Sequence, residues 1–255
     1  MAVTPRRDQI LALVREKGFV AIEALALHFG VTAQTIRRDI NELCDQALLQ
    51  RYHGGAGLPS SVENIAYDTR QVIMSEEKRR IAKRVASAIP DHASLMLNVG
   101  TTTEAVAVAL LQHEGLRIVT NNLNVANILA ENSSFEVTIT GGRLRNRDRA
   151  IIDAAAIEMI RQYKVDIAVI GISGIDDEGT LLDFDPQEVR IAQAIVANAR
   201  RVFLVTDHSK FGRDAMVRLG HLSDIDMLFT DQPLTEEMAE LVAASGVELD
   251  IAGND

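Results

Sequence analysis

The sequence predicts two units, a small N-terminal winged helix-turn-helix and a larger doubly wound α/β domain, and three observations carry that reading. Between residues 6 and 43 a helical apolar period is interrupted only by short turns at Gly18 and Gly30. From residue 94 onward, short apolar runs alternate with helical segments, as parallel strands joined by crossover helices do. Charge divides in the same way. Residues 1–57 hold 7 Lys and Arg against 6 Asp and Glu, a net of +1, so the chain total of −10 leaves −11 for the remainder. The acidic bulk should repel DNA, and any nucleic-acid contact falls to the N-terminal unit.

With 255 residues, 47% of them hydrophobic, the chain is long enough for one or two ordered domains with a substantial core. No apolar run approaches the ~20 residues needed to cross a bilayer, and residues 1–17 lack the pattern of a signal peptide, so a cytoplasmic protein is expected. The lone Cys44 can form neither an intrachain disulfide nor a metal cluster. Neither a metal nor a cofactor is expected.

In the first unit a helix over 6–17 turns Ile10, Leu13 and Val14 inward and stops at Gly18. Phe19-Val20 makes a short strand, a second helix over 22–29 buries Leu25 and Phe29, and Gly30 turns the chain into a third helix capped by Thr32. In that third helix Ile36, Ile40 and Leu43 form one buried stripe. Gln34, Arg38 and Asn41 fall on the opposite face, with the donor and acceptor geometry that reads base edges, while Thr35 and Arg37 flank them within reach of phosphates. A merely solvated polar face produces the same pattern. Leu48-Leu49 and the residues to Ala56 read as a strand running into a glycine turn, the outline of a wing, with Arg51 and His53 toward the DNA backbone.

A polar, proline-containing linker is expected over 58–74 and the α/β domain over 75–255. Ser75 caps a helix with Ile81, Val85 and Ile89 inward; its basic residues Lys78, Arg79, Arg80, Lys83 and Arg84 read as a solvated or interdomain surface, with DNA contact as the alternative. Strands are expected at 95–99, 117–120, 135–140, 167–172, 202–206 and 227–230, and helices at 104–111, 124–130, 154–162, 186–198 and 235–244.

Open parallel sheets bind ligands at the carboxyl ends of their strands, and here those ends are polar. Gly100, Thr101, Thr102 and Thr103 pass from a strand into a helix, where backbone N–H groups, hydroxyls and the helix dipole suit a phosphate; a capped strand-to-helix turn is the alternative. Asn121 and Asn122 supply amides for hydroxyl recognition, Gly142 and Arg143 a close backbone approach and a cation, and Lys210 a second cation.

The runs Glu23-Ala24-Leu25-Ala26, Phe29-Gly30-Val31-Thr32, Thr35-Ile36-Arg37-Arg38-Asp39-Ile40 and His53-Gly54-Gly55-Ala56 resemble the winged helix-turn-helix of the DeoR family of bacterial transcription regulators. Ala47 stands where many members have glycine. The strand-end segments, with 171–176 and Glu188, resemble that family's effector domain, which is similar to the sugar-phosphate isomerase fold. The resemblance implies operator DNA and a small phosphorylated polyol or sugar as partners. Segments 58–61, 118–127, 171–176, 207–213 and 215–217 are most similar to members that respond to glycerol 3-phosphate, although Asp153 stands where those have glycine. Asp176 and Glu188 are then expected to hydrogen-bond ligand hydroxyls. The competing class is a sugar-phosphate isomerase carrying a DNA-binding unit. Its relatives carry an Asp-Gly-x-Asp turn where this chain has Ser173-Gly174-Ile175-Asp176, so one acid is missing and a regulator without turnover is expected. A DNA-binding unit of net +1 neutralises few phosphates alone, so a homo-oligomer presenting several copies is expected.

Overall fold

The computed structural model describes residues 5–17, 19–45, 48–52, 54–57, 67–72 and 74–253. It divides into two compact units, Met1–Met74 and Ser75–Asp255.

The first unit runs α1 (Pro5–Lys17), β1 (Phe19–Ala21), α2 (Ile22–Phe29), α3 (Ala33–Asp45), β2 (Gln50–Tyr52), β3 (Gly55–Gly57) and α4 (Tyr67–Val72). Ile10, Val14, Leu25, Ile36, Ile40 and Leu43 close one core between the three leading helices. Full burial of each such side chain stabilises the unit by roughly 1.5 to 3 kcal/mol. Gly30 ends α2 in the left-handed region, at φ 62°, which redirects the chain into α3. Thr32 Oγ1 then accepts the backbone N–H of Thr35 at 3.2 Å and caps the start of α3.

Two features here differ from the sequence reading. The Gly55-Ala56-Gly57 segment is a strand rather than a turn, and it lies between β1 and β2 in an antiparallel sheet. A Cβ at Gly55 would collide with the Phe19 ring and the Val20 carbonyl, so glycine serves here to let strands approach closely. The stretch expected as linker contains α4, where Tyr67 is buried and its hydroxyl accepts from Gln71 Nε2 one turn later. His53, Gly18, Ala47 and residues 58–66 lie outside the described residues.

The second unit opens with α5 (Ser75–Ser87) and alternates β4 (Ser94–Leu97), α6 (Thr101–Ala109), β5 (Arg117–Thr120), α7 (Leu123–Leu129) and β6 (Glu136–Ile139). A hairpin, β7 (Leu144–Arg145) and β8 (Ala150–Ile151), leads to α8 (Ala154–Ile160) and β9 (Val165–Gly171). After β10 (Gly174–Ile175), β11 (Thr180–Asp183), α9 (Pro186–Ala197), β12 (Ala199–Val205) and β13 (Val217–His221), the unit ends with β14 (Met227–Thr230), α10 (Glu236–Ala244) and β15 (Glu248–Ile251).

Seven strands form one parallel sheet in the order β15-β14-β12-β9-β4-β5-β6. The chain starts at β4, winds outward to β6, then returns to β9 and winds the other way. This is doubly wound topology, with its switch point between β4 and β9. Strand alternation feeds both faces. Leu95, Leu97, Ile167, Val169, Phe203 and Val205 pack with α5, α6 and α7, whereas Met96, Ala168, Ile170, Val202 and Leu204 pack with α8, α9 and α10. All six expected strands and all six expected helices of this unit are present, α5 among them. The sequence reading omitted β15, the β7–β8 hairpin and a small antiparallel sheet of β10, β11 and β13.

Candidate functional site

On α3, Gln34, Arg38 and Asn41 are exposed while Ile36, Ile40 and Leu43 are buried, so the polar face of this helix is available to a groove. The Arg38 side chain is 83% exposed and only loosely held, 3.5 Å from Glu42. Arg37 and Thr35 sit at the half-buried margins. Arg51, exposed on β2, donates to Asn41 Oδ1 at 3.3 Å, which links the wing strand to the polar face of α3. Sequence reasoning missed Asp39. Although it lies between Arg38 and Ile40, it points inward, is 3% exposed and accepts from Arg6 and Arg7 of α1.

In the second unit the polar strand ends collect along the carboxyl edge of the parallel sheet. Gly100 precedes α6, whose N-terminus has no side-chain cap; Thr103 Oγ1 instead donates to the Gly100 carbonyl at 2.7 Å. The first-turn amides of Thr101, Thr102 and Thr103 thus face the switch point with the positive end of the helix dipole behind them.

Five buried side-chain atoms among the described residues have no hydrogen-bond partner, and four of them lie just past strand ends of this edge or at one: Asn121 Oδ1, Thr140 Oγ1, Asp207 Oδ2 and Thr230 Oγ1. An unpaired buried polar group is costly, so the concentration of such atoms along one edge makes that edge the candidate ligand site.

The other expected ligand groups are placed as follows. Asn122 is fully buried with both ends engaged: its Oδ1 caps α7 through Asn124 N and its Nδ2 donates to Glu104. Asn121 donates Nδ2 to the Ile151 carbonyl and keeps Oδ1 unpaired. Asp176 Oδ1 accepts the amides of Glu178 and Thr180, shaping its own turn. Arg143 is exposed and its backbone N–H is fixed by Asp153 Oδ2 at 2.9 Å, beside Gly142. Asp153 also caps α8 by accepting from Ala156 N, which gives this departure from the family pattern a structural role.

Glu188 is bonded to Arg145, which also pairs with Asp148 and with Asp185 at 2.5 Å. Burial pushes the Glu188 carboxyl up to about 7; Asp183 and Asp148 add to the rise and Arg145 opposes it. Burial works against the Arg145 charge, but Asp148 and Glu188 outweigh it and hold the guanidinium above its ordinary value.

Lys210 follows β12 and lies in the field of Asp207, whose Oδ1 accepts from Ser209 N and Oγ. Burial alone would raise the Asp207 carboxyl, yet Lys210, Ser209 and Lys78 together hold it below the usual range. Lys78 corrects the sequence reading. It is 5% exposed rather than part of a solvated face, because the first turn of α5 brings it to the Asp207 side of the strand ends. Arg79, Lys83 and Arg84 of the same helix remain exposed. The next residue, His208, donates its backbone N–H to Asp231 Oδ1 and pairs through Nδ1 with Asp231 Oδ2 at 2.6 Å, which raises its pKa. Among the described residues, no group of three His, Cys, Asp or Glu side chains is placed to hold a metal ion.

The DeoR-like helix-turn-helix domain matches residues 6–62, and the DeoR C terminal sensor domain matches residues 73–232. The chain belongs to the DeoR family. It is a DNA-binding transcriptional regulator rather than an enzyme, and operator DNA and a phosphorylated effector are the partners of such a DeoR protein. The chain is 48% identical to the glycerol-3-phosphate regulon repressor of Escherichia coli, over 98% of this chain and 100% of that protein. It is 40% identical to the HTH-type transcriptional repressor CsqR of the same organism, over 98% of this chain and 96% of that one. Among solved structures, it is similar to ribose 5 phosphate isomerase A from Neisseria gonorrhoeae at a TM-score of 0.39 and 12% identity, covering 52% of each chain. No helix of the described residues is long and apolar enough to cross a membrane.

Proposed function

We propose that this DeoR family protein represses genes of glycerol and glycerol 3-phosphate metabolism and is released from its operator by glycerol 3-phosphate, acting as a homo-oligomer in the cytoplasm. The observation that carries this reading is 48% identity, across nearly the whole chain, to relatives called glycerol-3-phosphate regulon repressor. The chemistry of the carboxyl edge supports it. A phosphate anchored on the amides of Thr101 to Thr103 sits at the end of β4, with β5 on one side and β9 then β12 on the other.

Neighbouring strands are spaced ~4.8 Å apart, so a three-carbon ligand anchored there reaches Asn121 one strand away, and Lys210 and Asp207 reach toward it from two strands away. Thr230, three strands from β4, is beyond such a ligand. Asn121 Oδ1 and Asp207 Oδ2 then accept from polyol hydroxyls, and Lys210 meets the phosphate. On the DNA side, Arg38, Gln34 and Asn41 read bases, and Thr32, Thr35, Arg37, Arg51 and His53 contact the backbone.

Titration of the full-length protein against labelled promoter DNA of glycerol catabolic genes tests the reading. Tight, salt-dependent binding that weakens at least tenfold with saturating glycerol 3-phosphate is expected. Release by another phosphorylated sugar alone would replace the effector, and failure to prefer promoter DNA over random DNA would sink the assignment.

A further inference from the structure

The β7–β8 hairpin lies outside the parallel sheet yet is bonded to both of its halves. Leu144 pairs with Ile151 and Arg145 with Ala150. On one side, Ile151 N donates to the Asn121 carbonyl at 2.7 Å, Leu123 N donates to the Arg149 carbonyl at 3.0 Å, and Asn121 Nδ2 donates to the Ile151 carbonyl. These bonds fix the hairpin to the end of β5. On the other side, Arg145 reaches Asp185 and Glu188 at the start of α9, the helix that leads into β12. Asn121 follows β5 and α9 lies on the path from β9 to β12, so the hairpin is tied to elements on both sides of the switch point between β4 and β9.

We propose that the β7–β8 hairpin is a strap across the effector crevice, and that Arg145 is the positioning residue that holds it shut and so limits the ligand to a small phosphorylated polyol. What lies beneath the strap rests on the effector reading above. The strap itself rests on bonds within the unit.

Arginine suits this position because one planar fork serves several carboxylates at once. Arg145 is 13% exposed and bonds Asp148, Asp185 and Glu188 together. Asp148, 1% exposed, lies in the hairpin itself, so the same side chain closes the hairpin and moors it. Without Arg145, Asp148, Asp185 and Glu188 lose the cation that joins them and keep the exposed Arg147 beside them. The hairpin then loses its mooring on α9 and is held at the end of β5 alone, so its backbone bonds there open more often.

Hydrogen exchange and calorimetry on the full-length Arg145→Met and Arg145→Lys proteins test this. In Arg145→Met, the amides of Leu123, Ile151 and Ile152 should exchange at least tenfold faster than in the parent, with amides of β9 and β12 unchanged. The preference for glycerol 3-phosphate over glucose 6-phosphate should fall at least tenfold as the larger ligand gains access. Arg145→Lys, which retains charge but not the fork, should lie between, and it decides the matter if Arg145→Met does not fold. Unchanged hairpin exchange would overturn the strap, and faster exchange with an unchanged preference would reduce Arg145 to a stabilising residue. If the parent binds neither phosphate, the effector reading fails and exchange alone judges the strap.

Discussion

Asp39 of the recognition helix accepts Arg6 Nε at 2.6 Å and Arg7 Nε at 3.3 Å, tying the first helix to the third through a carboxylate almost fully withdrawn from water. The exposed residues on either side of it along the polar face are therefore aimed by an inward-facing charge, and Arg7 extends the tie by pairing with Glu42.

Asp39→Ala should destabilise the DNA-binding unit by roughly 1.5 to 3 kcal/mol, the range for hydrogen bonds to charged groups, because Arg7 is left half-paired at a buried site. Denaturant melts of the full-length protein followed by helical circular dichroism check this. A variant as stable as the parent that also binds operator normally would show that the pair is dispensable.

Arg38→Ala and Arg51→Ala should differ in kind. Arg38 projects freely from α3, so its loss should relax sequence preference at one position by ~1 to 3 kcal/mol. Arg51 leans on Asn41 from the wing strand, and its loss should weaken operator and random DNA alike and flatten the salt dependence. Binding isotherms on both DNAs over a salt series separate the two, and equal losses on operator and random DNA for Arg38→Ala would refute its base-reading role.

The buried acid cluster predicts a pH dependence. Glu188 has its carboxyl raised to about 7 in the folded protein, above the ordinary unfolded value of roughly 4.3, so proton uptake favours the folded state. Its contribution is fully present below the unfolded value and is lost as pH rises through about 7. Glu188→Gln keeps an oxygen for Arg145 but removes the titration. Melting temperatures measured from pH 5 to 8 should therefore fall less steeply with rising pH in the variant; parallel curves would show that Glu188 does not titrate there.

Much of this arrangement was legible in the sequence because long elements carry their own period. The stripe Ile36, Ile40, Leu43 is buried as its spacing states, and the chain passes from strand to helix at Gly100 as its residues state. The elements that were not legible are short and depend on partners far away in the chain. β7, β8 and β10 are two residues each, too short for an alternation to register, and they are held by long-range bonds such as Arg145 to Glu188. Polar residues with two possible duties were also ambiguous: Asn121 and Asn122 read alike, yet one leaves an oxygen unpaired and the other is wholly taken up by a helix cap and Glu104. Lys78 misled because a basic helix face reads as solvated when nothing local shows that Asp207 will be beside it.

The two lysines around Asp207 carry the last prediction. Asp231 pairs with His208, and Asp207 lies in the field of both Lys78 and Lys210. An incoming phosphate placed at this strand end lies within the field of both lysines. Lys210→Ala and Lys78→Met should each weaken glycerol 3-phosphate binding by about tenfold or more, since hydrogen bonds to charged groups contribute roughly 1.5 to 3 kcal/mol. Neither lysine belongs to the DNA-binding unit, so operator affinity without effector should remain near that of the parent. Release requires different effector affinities in the DNA-competent and DNA-incompetent states, and a hundredfold loss of operator affinity corresponds to a coupling of roughly 2.7 kcal/mol. The coupling is reciprocal, so operator DNA should weaken effector binding to the parent by the same factor. Both variants should then stay on the operator at effector concentrations that strip the parent. Calorimetry with glycerol 3-phosphate, paired with operator titrations at fixed effector, measures both sides of the cycle. Unchanged effector affinity in Lys210→Ala would move the phosphate elsewhere, and lost affinity with normal release would separate binding from the switch.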